Sequence, residues 1–201
     1  MHNSMPTARR GKCRFANGLK GLKAISSRGF LRLAELTLIL GGAKSGKTAH
    51  ALASCPPPHC YIATAQALDP EMENRITAHK AERGETWGLA EAPLDLANAI
   101  QTEAAEGRTL LVDCLTLWLS NLMHEERALD SETDALLVAT QSAPGHIVMV
   151  SNEIGLSLVP MEKLSRTFRD AQGTLNQRVA AAADNVRFIA AGLPMVLKGK
   201  P

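Results

Sequence analysis

Short apolar runs that alternate with helix-forming stretches predict an α/β protein whose mostly parallel sheet is covered by helices on both faces. The runs are continuously apolar, as in Leu36–Leu40 and Leu110–Val112, which is the pattern of strands buried on two sides. A glycine-rich turn, Gly41-Gly42-Ala43-Lys44-Ser45-Gly46-Lys47-Thr48, then joins the first run to the first helix. It fills the G-x-x-x-x-G-K-[ST] template of a phosphate-binding P-loop, with a strand before it and a helix after it.

The elements follow in order. Leu36–Leu40 is a strand, Lys47–Ser54 a helix, Pro56–Pro58 a stop and His59–Thr64 a second strand. A helix from about Asp69 to Arg83 opens on Asp69-Pro70-Glu71, with a cap, a proline and an acid where a first turn wants them. Trp87–Glu91 is ambiguous. Pro93 begins a helix through Ala105, and Thr109–Asp113 is an apolar run ending in a carboxylate, like a Walker B strand. Helices over Leu115–Met123 and Ser131–Thr140, a strand over Ile147–Ser151, a long helix over Glu162–Ala183 and strands over Val186–Ala191 and Pro194–Leu197 complete the chain.

Composition limits the classes open to it. Aromatic residues make up only 3% of the 201 residues, so the core is built from Ala, Leu, Ile and Val. Residues 1–34 hold eight Lys and Arg and no acid, which leaves the remainder acidic although the whole chain is +2. This basic stretch is read as a disordered extension ahead of a catalytic domain at 35–201, the other readings being a nucleic-acid arm or a targeting segment. No apolar run is long enough to span a bilayer and no secretory h-region is present, so a cytoplasmic protein is expected. Cys13, Cys55, Cys60 and Cys114 lack paired spacing, so neither a disulfide framework nor a zinc site is expected, and His59 beside Cys60 reads as structural.

Ligands of parallel sheets sit at the carboxyl ends of the strands, which preselects Gly41–Thr48, Thr64–Gln66, Asp113 and Ser151-Asn152-Glu153. Glycines let successive N–H groups face phosphate oxygens, Lys47 reaches the β and γ phosphates, and Thr48 offers its hydroxyl to Mg²⁺. A nucleoside triphosphate is the expected ligand. Asp113 either holds the same Mg²⁺ or caps the helix that begins at Leu115. Asn152 and Glu153 either polarise a nucleophile or form an exposed turn. Arg75, His79 and Arg83 lie along one side of their helix, a spacing that suits a solvated basic face as well as a site.

GGAKSGKT at Gly41–Thr48, YIATAQALDPEMENRITAHK at Tyr61–Lys80, LVDC at Leu111–Cys114, VSNEIGLSLVP at Val150–Pro160 and FRDAQGTLNQRVAAAAD at Phe168–Asp184 resemble the bifunctional adenosylcobinamide kinase/adenosylcobinamide-phosphate guanylyltransferase family. The resemblance spans about Leu36 to Lys198 and leaves out the basic leader. It implies a RecA-like sheet with an antiparallel edge and a trimer. It also implies two reactions: phosphorylation of adenosylcobinamide by ATP or GTP, then transfer of GMP from GTP through an enzyme histidine to give adenosylcobinamide-GDP.

In the R-I-x-x-H-K pattern the guanylylated histidine corresponds to His79. Cations one turn away on each side disfavour its protonation, keeping more of it nucleophilic near neutral pH. The nucleotide-contacting set implied is Gly41, Gly42, Ala43, Lys44, Ser45, Gly46, Lys47, Thr48, Ala63, Thr64, Ala65, Lys80, Ala81, Glu82, Arg83, Glu91 and Asp113, with His79 and Lys47 catalytic. Glu91 either accepts the N1 and N2 hydrogens of guanine or is a surface residue before Pro93. Arg166, Arg169 and Arg178 either meet phosphates or make salt bridges on a solvated helix. Lys44 stands where arginine is common in the family, keeping charge but losing bidentate reach. Two other functions compete: a single-activity small-molecule kinase with an inert His79, and a nucleotide-switched binding protein of RecA type using the leader as an arm.

Overall fold

The computed structural model describes residues 34–67, Pro70, Met72, Glu73, Thr77 and residues 86–200. Seven strands form one sheet: β1 (Ala34–Gly41), β2 (His59–Ala63), β3 (Gly88–Glu91), β4 (Thr109–Asp113), β5 (Gly145–Asn152), β6 (Asn185–Ala190) and β7 (Leu193–Lys198). Their spatial order is β3-β2-β4-β5-β1-β6-β7. Every neighbouring pair is parallel except β6 and β7, which are antiparallel. The expected parallel sheet with an antiparallel edge is therefore present.

Both faces are covered because the strands are apolar on both. Leu36, Leu38, Leu40, Ile62, Val112 and Met149 share one side. There they meet Leu96 and Ile100 of α2 (Leu96–Glu103), Trp118 and Leu122 of α3 (Leu115–His124), Leu136 of α4 (Leu129–Ser142) and Leu175 and Val179 of α5 (Lys163–Ala182). Ile39, Tyr61, Leu111, Val148 and Ile189 face the other way with Ala51 of α1 (Lys47–Ala53). Truncating a fully buried leucine such as Leu111 to alanine would cost about 2–5 kcal/mol.

Several elements extend one or two residues beyond the ranges expected, and the helix expected over Pro93–Ala105 is shorter at both ends. The helix expected from Pro93 begins at Leu96, because the carbonyls of Pro93 and Leu94 are taken by α3: Asn121 Nδ2 donates to the first at 3.0 Å and Trp118 Nε1 to the second at 2.8 Å. The same helix stops at Glu103, whose carbonyl accepts Arg108 Nη1 at 3.0 Å. Trp87–Glu91 resolves as the edge strand β3, paired in parallel with β2 from Cys60–Gly88 to Ala63–Glu91. Of the helix expected over Asp69–Arg83, Pro70, Met72, Glu73 and Thr77 are each helical, and Thr77 Oγ1 donates to the Glu73 carbonyl. Asp69, Arg75, His79 and Arg83 lie outside the described residues.

Candidate active site

The register of the sheet decides which residues meet. Gly41 pairs with Asn152, Asp113 with Val150, and Ala63 with both Asp113 and Glu91, so the preselected strand ends lie on one rim.

At Gly41 the backbone has φ 155°, and a Cβ would come within 2.5 Å of the Ile189 carbonyl and 2.7 Å of Ser45 Oγ. Only glycine fits there. Gly46 has φ 94° and lies against Gly192, whose N–H donates to the Ser45 carbonyl at 2.9 Å. Gly192 and Ala191 form the turn between β6 and β7 with φ 79° and 51°, so the antiparallel edge serves as a buttress for the cradle. Within the loop, Ser45 N–H donates to the Gly42 carbonyl at 3.3 Å.

Lys47 is buried, and its Nζ donates to the Gly42 carbonyl at 2.5 Å. Burial holds its pKa below the usual lysine value, while the negative charge of Asp113 works in the opposite direction. Thr48 Oγ1 donates to Asp113 Oδ2 at 3.3 Å, and Tyr61 OH donates to the same oxygen at 2.9 Å. The two residues expected to share Mg²⁺ are thus brought together across 65 residues of chain. Their hard oxygen donors suit Mg²⁺, which takes few protein ligands and completes its shell with phosphate and water. Among the described residues no cluster of three or more His, Cys, Asp or Glu could hold a metal.

Thr64 is fully buried, and its hydroxyl both donates to the Cys114 carbonyl and accepts the Cys114 N–H, each at 2.8 Å. It fixes the peptide that follows Asp113. Ala63 and Ala65 are half-buried at the same rim. Glu91 is exposed on β3, four strands from β1, a separation of about 19 Å at the usual strand spacing. The structure does not bring it to the glycine loop. His79, Lys80, Ala81, Glu82 and Arg83 lie outside the described residues.

The rim beyond Asn152 is clamped. The Asn152 N–H donates to Thr116 Oγ1 at 2.8 Å and its carbonyl accepts Asn176 Nδ2 at 3.0 Å. Asn176 Oδ1 accepts from Ser151 Oγ at 2.7 Å and from Gln172 Nε2 at 2.9 Å, all buried. The Glu153 N–H donates to the Gly41 carbonyl at 3.0 Å, which ties this loop to the cradle. Glu153 Oε1 accepts the Gly155 N–H at 2.6 Å. Of the arginines, Arg178 pairs with Asp130 and Asp134, Arg169 with Asp170, and Arg166 donates to the carbonyls of Pro160 and Met161.

Tyr61, Thr116, Asn176 and Gly192 went unmarked in the sequence. Tyr61 carried one usable signal: as the only tyrosine, two residues before Ala63, it must project from the same face of β2. His59 accounts for itself structurally, stacking on Trp87 at 3.8 Å between ring centres. Cys55, Cys60 and Cys114 are free and buried, and burial pushes Cys55 up to about 12 and Cys114 up to about 11.

A family model described as cobinamide kinase / cobinamide phosphate guanyltransferase matches residues 37–197. The chain is 50% identical over 169 residues to the bifunctional adenosylcobalamin biosynthesis protein CobP of Pseudomonas aeruginosa, covering 82% of this chain and 98% of that one. It is 38% identical over 180 residues to the bifunctional adenosylcobalamin biosynthesis protein CobU of Salmonella typhimurium, covering 81% and 99%. Among solved structures, a protein of Pyrococcus horikoshii OT3 shares the fold with a TM-score of 0.51 at 8% identity, covering 85% of this chain and 89% of that one.

Proposed function

The chain belongs to the cobinamide kinase / cobinamide phosphate guanyltransferase family, and from that premise we propose how its residues divide the two reactions. It is a bifunctional transferase of cobalamin biosynthesis, a kinase and a guanylyltransferase in one chain.

In the kinase step the hydroxyl of adenosylcobinamide attacks the γ-phosphorus of ATP or GTP. The bond to the bridging oxygen breaks, and the nucleoside diphosphate leaves with the electron pair. Backbone N–H groups of Gly42 to Gly46 hold the phosphates, and the Lys47 ammonium balances charge that grows on them. Thr48 and Asp113 would hold Mg²⁺, which neutralises the phosphate oxygens when bound. Tyr61 fixes the Asp113 carboxylate by its hydrogen bond.

In the transfer step a ring nitrogen of His79 attacks the α-phosphorus of GTP and pyrophosphate leaves. A phosphate oxygen of adenosylcobinamide phosphate then attacks the same phosphorus, and the P–N bond breaks to give adenosylcobinamide-GDP. Lys80, Ala81, Glu82 and Arg83 contribute to nucleotide binding, and Glu91 accepts from guanine. That last role needs the base to lie along the strand ends toward β3, or Glu91 to come from a neighbouring copy. The enzyme works as a homotrimer in the cytoplasm without a nucleic-acid partner, and the basic segment ahead of β1 is dispensable. No helix among the described residues is long and apolar enough to cross a membrane.

The observation that supports this reading most is the meeting of Thr48, Asp113 and Lys47 beside the glycine loop. Incubation with α-labelled GTP and Mg²⁺ is expected to leave GMP on the protein in an acid-labile, alkali-stable linkage that His79→Ala abolishes. A wild-type protein that phosphorylates cobinamide yet takes up no label would be a plain kinase instead.

A further inference from the structure

The nucleotide site leaves the second substrate without a place. Beneath the loop that follows β5 lies a cavity of about 600 Å³, between the end of α3, the loop and the first turns of α5. Met123, Ile154, Leu164 and Phe168 give it apolar walls, and Ser120 and Ser165 set hydroxyls among them. Its size falls in the range of small-molecule sites, and this mixture of apolar wall and placed polar groups is their usual lining.

The lip of the cavity is apolar and exposed. Leu156, Leu158, Val159 and Met161 are 81%, 94%, 67% and 97% exposed within six residues of chain. A floppy loop would fold such side chains inward, but this backbone is pinned. Arg166 Nη1 donates to the Pro160 and Met161 carbonyls, Ser157 Oγ to the Ile154 carbonyl, and the Gly155 N–H to Glu153. A fixed apolar surface beside a cavity marks a contact site.

The position is set by the sheet. Asn152 is in register with Gly41, and the Glu153 N–H holds the Gly41 carbonyl, so Ile154 enters the cavity one residue from the phosphate loop. We propose that this cavity and its lip seat the corrin ring of cobinamide, presenting its hydroxyl-bearing arm to the cradle. The inference rests on the family reading above, which requires that hydroxyl at a terminal phosphate. A corrin ring has apolar faces and an amide-bearing edge, matching apolar walls interrupted by hydroxyls and by the polar side chains of His124, Glu126 and Arg169. A ring larger than the cavity stands partly outside it, where the pinned lip covers its face.

Dicyanocobinamide serves as the probe, with binding followed by equilibrium dialysis and corrinoid absorbance. Ser165→Trp fills the cavity, and Leu164→Asp puts a charge on a side chain 65% exposed, so neither disturbs the core. Each is expected to weaken dicyanocobinamide binding, and raise the KM for adenosylcobinamide, by about tenfold or more. Uptake of labelled GMP checks that each variant is folded. Corrinoid binding at the wild-type level in both variants would overturn the proposal. So would a loss accompanied by a change in sedimentation, which would make the lip a contact between copies. If the wild type binds dicyanocobinamide, both variants lose that binding without a change in sedimentation, and the wild type takes up no GMP, the transferase reading fails and the cavity assignment stands.

Discussion

The loops after β1 and β5 leave neighbouring strands at the same rim, joined by one hydrogen bond from Glu153 to Gly41, yet they are built in opposite ways. The first is held through its main chain, with the Ser45 N–H and the Lys47 ammonium donating to the Gly42 carbonyl and Gly192 donating to Ser45, and three glycines keep side chains out of the way. The second is fixed only at its roots and crossing points and turns Leu156, Leu158 and Met161 outward. A loop that binds anions must spend its backbone amides; a loop that binds a ring must spend its side chains. Proximity without similarity is what a two-substrate enzyme needs.

The largest expected effect comes from breaking the first loop. Gly41→Val drives a side chain into the Ile189 carbonyl, and Lys47→Ala removes the buried cation; each should lower kcat/KM of both reactions by roughly 10²–10³. Steady-state kinetics with each substrate checks this. Next comes the clamp beneath the second loop. Asn176→Ala takes the acceptor from the Ser151 hydroxyl and the side-chain donor from the Asn152 carbonyl, leaving Gln172 Nε2 with Ser151 alone, and should cost about 1–3 kcal/mol in urea unfolding. Tyr61→Phe leaves Asp113 with one donor fewer and should raise the Mg²⁺ concentration for half-maximal GTP binding by roughly fivefold, about 1 kcal/mol.

A pH dependence sharpens the contrast, because Lys47 belongs to the first loop. Burial lowers the pKa of Lys47, whereas a bound triphosphate favours its charged form and raises it again. GTP affinity is therefore level below the lowered pKa and falls as pH rises through it toward 10.5, with proton uptake visible by calorimetry in buffers of different ionisation heat. Corrinoid affinity should not share this slope. The smallest effect is at the lip: Leu158→Ser should leave folding stability within about 0.5 kcal/mol of the wild type, measured by the same unfolding assay.

The first loop was legible because its chemistry is contiguous. Gly41 to Thr48 announce themselves within eight residues, and Asp113 ends an apolar run like a Walker B strand. The parallel sheet was legible for the same reason, since each strand carries its own pattern. The clamp was not. Thr116, Asn152 and Asn176 meet from residues 24 to 36 apart, and nothing near any of them in sequence says so. The helix at Pro93 misled because its local signals were sound, but the carbonyls they required were claimed by Trp118 and Asn121. Glu91 falls between the two cases: the resemblance implied a guanine contact, but strand order places it four strands from the cradle, and order is a property of the whole sheet.

Trp87 and Trp118 are the only indoles in the chain, and they stand in different light. Trp118 is sealed in the core with its N–H on Leu94, so its emission is blue and steady. Trp87 is half-covered, stacked on His59 and edge-on to Tyr61, the phenol that grips Asp113. Loading the glycine loop therefore registers as a change in one of two natural fluorophores, and turnover can be timed without attaching a dye.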